Sequence, residues 1–177
     1  METGRLCTAY RWQRTVVRII KSISTSTEKN KGMPQPIEEI FGKKIPIIGD
    51  TSFFLACAEQ RIRLPDSIDE LIDDNYQLIL LRSIRKEIEL LKSKRHEAGL
   101  AYEIAIKFSI EFDEKAYFSE LPSSTDNILV FVGERLKKFS PIIASGDRQV
   151  QKEALERLLP VLTAKNRKVR FVPPGEN

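Results

Sequence analysis

Four carboxylates stand where secondary structure is expected to begin or end. Asp50 follows the apolar run Ile45-Pro46-Ile47-Ile48-Gly49, Asp126 follows Ser123-Ser124-Thr125, Asp147 follows Ser145-Gly146, and Glu87 lies within an amphipathic stretch. An acid at the exit of a buried strand costs desolvation unless a cation or a donor compensates it. In an open α/β sheet the carboxyl ends of the strands are also where ligands bind. Converging at one sheet edge, the four acids would make a site of hard oxygen donors suited to Mg²⁺ or Mn²⁺. Without a cation, their mutual repulsion would raise their proton affinity.

Each acid also has a purely structural reading. Asp126 fits a capping box with Ser123 as N-cap and Asp126 three residues on, and an acid in a first helical turn suits the helix dipole. Asp147 is placed to cap the helix that follows it, and Asp50 to satisfy the amides of its own strand-to-helix turn. Glu87 is harder to explain in this way. At helical spacing its neighbours are Ser83, Ile84, Leu90 and Leu91, a largely apolar face where a solvated Glu would rather meet Lys or Arg. The single histidine, His96, sits in the charged stretch Lys92–Glu97, which leaves no basis for histidine chemistry. Cys7 and Cys57 form no CxxC pair, so two free thiols in a reducing cytoplasm are expected rather than a zinc site or a disulfide.

The elements that must position these residues alternate between strand and helix signals. Strands are expected over Ile45–Gly49, Tyr76–Leu81, Pro141–Ser145 and Lys168–Val172. A short helix opens at Pro65-Asp66-Ser67. A second is capped by Ser83, with Ile84, Ile88 and Leu91 inward. Further helices are expected over about 97–112, 124–139 and 148–159. Ile128–Val132 is apolar throughout and has strand propensity, but its length with Gly133–Phe139 argues for a buried helix. Strand–helix alternation implies an α/β fold with a mostly parallel sheet and right-handed crossovers.

With 177 residues, 41% apolar and 31% charged, the chain suits one domain with a real core, and no apolar stretch nears the ~18 residues of a membrane span. The net charge of +4 permits a polyanionic partner. Residues 1–32 differ in composition: they are Arg- and Ser-containing, with Glu2 and Glu28 their only acids. The segment superficially resembles a transit peptide. A basic N-terminal extension, or a gene start extended beyond Met33, is favoured. Residues 33–177 then form the domain, with a core over about 45–172.

The motifs resemble those of PIN-domain ribonucleases. Asp50-Thr51-Ser52-Phe53-Phe54-Leu55 is similar to the opening motif, a hydrophobic strand ending in Asp-Thr-Asn/Ser. Ile84-Arg85-Lys86-Glu87-Ile88 resembles the second, Thr125-Asp126-Asn127-Ile128 the third, and Ile142-Ile143-Ala144-Ser145-Gly146-Asp147 the fourth. Each motif is weak singly, and the ordered set is more specific. The resemblance covers roughly Ile45 to Val172, and is nearest to small archaeal PIN proteins related to the nuclease that trims small-subunit ribosomal RNA precursors. Departures are Ser52 for the more frequent Asn, Gly146 where Asn is common, and the bulky Phe131-Val132.

This resemblance implies a PIN-like three-layer fold, a mostly parallel central sheet flanked by helices. It also implies a metal-dependent endoribonuclease leaving a 5′-phosphate and a 3′-hydroxyl. Asp50, Asp126 and Asp147 would hold Mg²⁺ or Mn²⁺, with Glu87 completing the set or orienting a water. Thr51, Ser52 and Ser145 would position ligands or phosphate, or serve only as turn residues, and Arg148 would meet the RNA. Other basic residues that could track RNA are Lys43, Lys44, Arg61, Arg63, Lys165, Arg167, Lys168 and Arg170. Implied partners are RNA, an antitoxin or a pre-ribosomal particle, and a second copy of the chain. A catalytically silent PIN scaffold, with Asp126 merely a cap, is the competing reading. A receiver-like phosphate-binding domain is less attractive.

Overall fold

The computed structural model describes residues 34–73 and 75–175, so the expectations for residues 1–32 and for Cys7 lie outside the described residues. Contacts divide the chain before Pro36, and the unit from Pro36 to Asn177 carries the fold described below.

The elements run α1 (Ile37–Phe41), β1 (Ile45–Gly49), α2 (Thr51–Glu59), α3 (Asp66–Asp69), β2 (Tyr76–Leu81), α4 (Arg82–Lys92), α5 (His96–Phe108) and β3 (Ile110–Phe112). Then follow α6 (Glu114–Tyr117), α7 (Thr125–Arg135), a 3₁₀ turn at Lys137–Phe139, β4 (Ile142–Ala144), α8 (Arg148–Glu156), β5 (Val161–Lys165) and β6 (Lys168–Val172). The six strands form one sheet in the order β3-β2-β1-β4-β5-β6. All neighbours are parallel except the antiparallel hairpin β5–β6.

β1 lies inside the sheet, with Ile47 facing both Leu78 and Ile142 in register. Ile47 and Ile48 are completely buried. A strand covered on both faces reads as an unbroken apolar run, which is why Ile45–Gly49 was legible without alternation. From β1 the chain moves outward through β2 to β3, then returns to the other side of β1 for β4 and β5. Right-handed crossovers therefore place helices on both faces, and α2, α4 and α5 pack together while α7 packs on α8. The reversal of direction makes the boundary between β1 and β4 a topological switch point, where α/β folds open a crevice at the strands' carboxyl ends.

Several elements depart from the expected bounds. The helix expected to reach Phe112 ends at Phe108. Ser109 is extended (φ −112°, ψ 154°), and Ile110–Phe112 pairs with the free edge of β2. β5 was not expected. Pro160 stops α8 from continuing, and Val161–Lys165 joins β4 on one side and β6 on the other. The apolar run Ile128–Val132 is helical, as its length argued. Gly133 lets α7 seat closely on the sheet, because a Cβ there would stand 2.9 Å from Ile143 Cδ1 and 3.0 Å from Leu159 Cδ1.

Ser83 does not cap α4. Its hydroxyl is buried without a hydrogen-bond partner, and the N-terminal amides of Arg82 and Ser83 instead donate to the two carboxylate oxygens of Glu114, each at 2.9 Å. The capping acid comes from 31 residues downstream of Ser83, where no local motif would point. Cys57 is fully buried, and burial pushes its thiol up to about 12, so it stays protonated. Among the described residues no helix is long and apolar enough to cross a membrane.

Candidate active site

Asp50 is the first residue beyond β1, and its backbone N–H donates to Ala144 O of β4 at 2.8 Å. It is the N-cap of α2 and accepts the Thr51 N–H at 2.7 Å through Oδ1. The expected local turn role is therefore present, but it uses only one oxygen. Oδ2 accepts the hydroxyls of Ser52 and Ser145, at 2.5 and 2.9 Å. Asp50 is 5% exposed, and its carboxylate oxygens are satisfied by three donors drawn from two different loops.

Ser52 joins those loops. Its Oγ accepts the amides of Gly146 (2.8 Å) and Asp147 (3.2 Å) while donating to Asp50. Ser145 Oγ also accepts the Asp147 amide, at 3.0 Å. Each hydroxyl has one proton and directs it to Asp50, so the 3.2 Å approach between the two oxygens is a contact, not a further hydrogen bond. Gly146 eases the approach, because a Cβ there would lie 3.2 Å from Ser52 O, a tight contact with backbone. Gln151 supports the loop from behind, donating to Ser145 O at 2.8 Å and to Thr163 Oγ1 of β5 at 3.1 Å.

Asp147 is exposed and caps α8, its Oδ1 accepting the Gln149 N–H at 2.7 Å. The capping reading is correct for this residue, and among the described residues its other carboxylate oxygen accepts no hydrogen bond. Arg148, next along, is exposed and in no ion pair among the described residues. Asp126 lies exposed in the first turn of α7. The cap there is Ser124 rather than Ser123, its Oγ accepting the Asn127 N–H at 3.3 Å, so Asp126 is one residue short of a capping box. Asp126 is thus not needed to hold its own helix.

Electrostatics tie these acids to one another. The Glu87 carboxyl is held above its usual range, first by burial and then by the charges of Asp50 and Asp126. The neighbouring Thr51 hydroxyl lowers it in part. That hydroxyl is buried and has no formed hydrogen bond, so it acts on Glu87 as a nearby dipole. Asp126 is raised by its partial burial, then by Asp50, Asp147 and Glu153. All four sequence candidates therefore share one electrostatic neighbourhood at the carboxyl edge of the sheet.

Glu153, which the sequence reading missed, joins them from α8, where its Oε1 also accepts from Arg157 Nη2 at 3.0 Å. Gln151 was missed as well, although its position one helical turn after Asp147 was a usable signal. Among the described residues no three His, Cys, Asp or Glu side chains stand close enough together to ligate one ion directly.

No protein-family model matches the chain, and no curated protein sequence matches it. Among solved structures it is similar to "Structure of the PIN domain endonuclease Utp24". The match has 18% identity and a TM-score of 0.60, and covers 77% of this chain and 99% of that one. Identity this low carries architecture rather than activity. The strand order, the switch point between β1 and β4 and this structural likeness together show that the chain has the PIN-domain fold.

Proposed function

We propose that the chain is a divalent-metal-dependent endoribonuclease acting through Asp50, Glu87, Asp126 and Asp147. The observation that carries this reading is Asp50. It is a buried carboxylate at the topological switch point, fixed by Thr51, Ser52 and Ser145, with Glu87 and Asp126 each within reach of its charge. The similarity to a PIN domain endonuclease supports the same reaction class.

The donor set suits a hard cation. Every candidate donor is oxygen, and the acids are gathered without closing on one point. Mg²⁺ keeps several of its waters and commonly takes only one or two carboxylates. Asp50 and Asp147 would hold Mg²⁺ or Mn²⁺, with Asp126 alongside. When bound, the ion supplies charge neutralisation at the phosphate and makes water in its shell more acidic. Glu87, whose proton affinity is raised, is suited to orienting the attacking water and accepting its proton. Thr51, with an uncommitted hydroxyl, and Arg148, an exposed cation beside Asp147, are placed to meet the phosphate. Ser52 and Ser145 act on Asp50 rather than on substrate. The water oxygen bonds to phosphorus as the P–O3′ bond breaks; the water's proton goes to Glu87 and the leaving 3′-oxygen takes a proton from solvent, giving a 5′-phosphate and a 3′-hydroxyl.

The test is cleavage of a mixed structured and single-stranded RNA pool with Mg²⁺ or Mn²⁺, wild type beside Asp50→Asn. Metal-dependent cutting lost in the variant is the expected result, and equal cutting by both proteins would sink the mechanism. The spacing of the acids gives one specific reason to keep a second reading, a silent scaffold that binds RNA without cutting it. That reading predicts RNA retention and no cleavage by either protein. An antitoxin partner would show as growth arrest on expression, relieved by the partner, and an RNA-processing role as co-sedimentation with pre-ribosomal particles. A homodimer would show in solution mass.

A further inference from the structure

Two arginines occupy backbone positions that glycine would hold more easily. α2 ends in a Schellman turn, with Ile62 N–H donating to Cys57 O (2.9 Å) and Arg61 N–H to Ala58 O (3.2 Å), and Arg61 takes the left-handed position at φ 53°. The hairpin β5–β6 turns through Asn166-Arg167, both left-handed, with Arg167 at φ 58°. In this region the Cβ of an L-residue is crowded. Ser140 and Leu158 share such angles, so backbone conformation alone does not single out the arginines. Their placement does.

Gln60 brings the two turns together. Its Nε2 donates to Ala164 O at 3.3 Å, and its Oε1 accepts the Arg167 N–H at 2.9 Å. On the same hairpin Lys165 stands directly opposite Lys168, a like-charge pair that weakens a sheet. Arg170 lies on the face of these lysines, two residues along. Arg61, Lys165, Arg167, Lys168 and Arg170 are all exposed, and none is in an ion pair among the described residues. Three locally unfavourable choices thus meet on one surface, and each adds positive charge. Such convergence of local costs marks function rather than folding.

The surface is also next to the acids. Ser145 N–H donates to Leu162 O at 3.0 Å, and Gln151 bridges Ser145 O and Thr163 Oγ1. β5 therefore passes the Asp147 loop at Leu162 and Thr163, and its tip rises on the order of 10 Å beyond. We infer that Arg61, Arg167 and the Lys165–Lys168 pair form a phosphate clamp that holds single-stranded RNA beside the acid row. Guanidinium forks and uncommitted ammonium groups match phosphate oxygens and read no base sequence. The choice of RNA as ligand rests on the nuclease reading above.

The experiment measures binding, not cutting, so the two readings fail separately. Full-length protein carrying Asp50→Asn is titrated against a short labelled single-stranded RNA over a range of KCl. Two further variants are compared in that background, Arg61→Gly with Arg167→Gly, and Lys165→Gln with Lys168→Gln. Each pair is expected to weaken binding roughly tenfold and to lower the slope of log affinity against log salt by roughly 1.4, two contacts at ~0.7 each. The glycine pair should melt at or above the parent temperature, because both turns are relieved, and the glutamine pair should do so because the opposed charges are gone. Unchanged affinity and slope in both variants would overturn the clamp. So would a glycine pair that melts lower together with a glutamine pair that binds normally. Clamp-dependent binding by a protein whose Asp50 form never cuts RNA would remove the nuclease reading and leave the clamp standing.

Discussion

Ser145 donates its hydroxyl to the Asp50 carboxylate at 2.9 Å, across the boundary between the parallel strands β1 and β4 at which the winding of the sheet reverses. The acid at the end of one strand is therefore held by the residue at the end of the next. Ser52 supplies the reverse link, donating to the same oxygen and accepting amides from the Ser145 loop. Asp50 does not rely on its own turn alone for position, because the Ser145 loop holds it from the neighbouring strand.

Ser52→Ala is expected to cost more than Ser145→Ala. Removing Ser52 Oγ takes one donor from Asp50 and the acceptor from Gly146 N–H, and leaves Asp147 N–H with Ser145 alone. Removing Ser145 Oγ takes one donor and leaves Asp147 N–H with the longer bond to Ser52. A hydrogen bond contributes roughly 0.5–1.5 kcal/mol net, so Ser52→Ala, which removes three, should lose more than Ser145→Ala, which removes two. Urea unfolding of the two variants measures the difference. Equal losses would show that the loops are held by packing and not by the serine hydroxyls.

Glu114 is 1% exposed and accepts both leading amides of α4, the helix that carries Glu87. Glu114→Ala should leave two helix-end donors unpaired, at about 2–4 kcal/mol. Glu114→Gln keeps one acceptor oxygen and should lose about half as much. The same ranking is expected in RNA cleavage, because a frayed first turn lets Glu87 shift from Asp50. Thermal melts and initial cleavage rates on the three proteins test both halves. Full cleavage by a destabilised Glu114→Ala would show that the cap stabilises the fold without positioning Glu87.

The legible parts of this chain were those whose neighbours on both sides share one character. Ile45–Gly49 and Leu78–Leu81 are continuous apolar runs because they are covered on both faces, and β1 and β2 form with the expected bounds. Lys168–Val172 also formed as expected, from β-branched and aromatic residues with polar partners. β3 has three residues, too few for any period, and exists because β2 offers it an edge. Asp50 and Asp147 could be found because strand exits are visible in sequence. Glu153 could not, since its approach to Asp126 depends on how α7 packs on α8. Ser83 looked like a cap because local propensity favoured it, and Glu114 took the role through a tertiary contact that no spacing rule reports.

The raised Glu87 carboxyl gives stability a distinctive pH dependence. Its ordinary value is 4.5, and burial with the charges of Asp50 and Asp126 lifts it in the folded protein. Between 4.5 and that raised value the folded chain binds more protons than the unfolded one, so stability falls as pH rises through this window. The favourable contribution is complete below the ordinary value and gone above the raised one. Asp126 acts in the same sense from 3.8, more weakly because it is more exposed. Glu87→Gln should flatten the fall and melt higher than wild type on its alkaline side, in buffer stripped of divalent ions. Added Mg²⁺ should stabilise wild type more on that same side, because a cation binds ionised carboxylates and competes with their protons. Melting temperatures taken from about pH 4 to about pH 8, with EDTA and then with Mg²⁺, measure both effects. Parallel curves for wild type and Glu87→Gln in EDTA would show that neither burial nor the charges of Asp50 and Asp126 raise Glu87 in the folded protein.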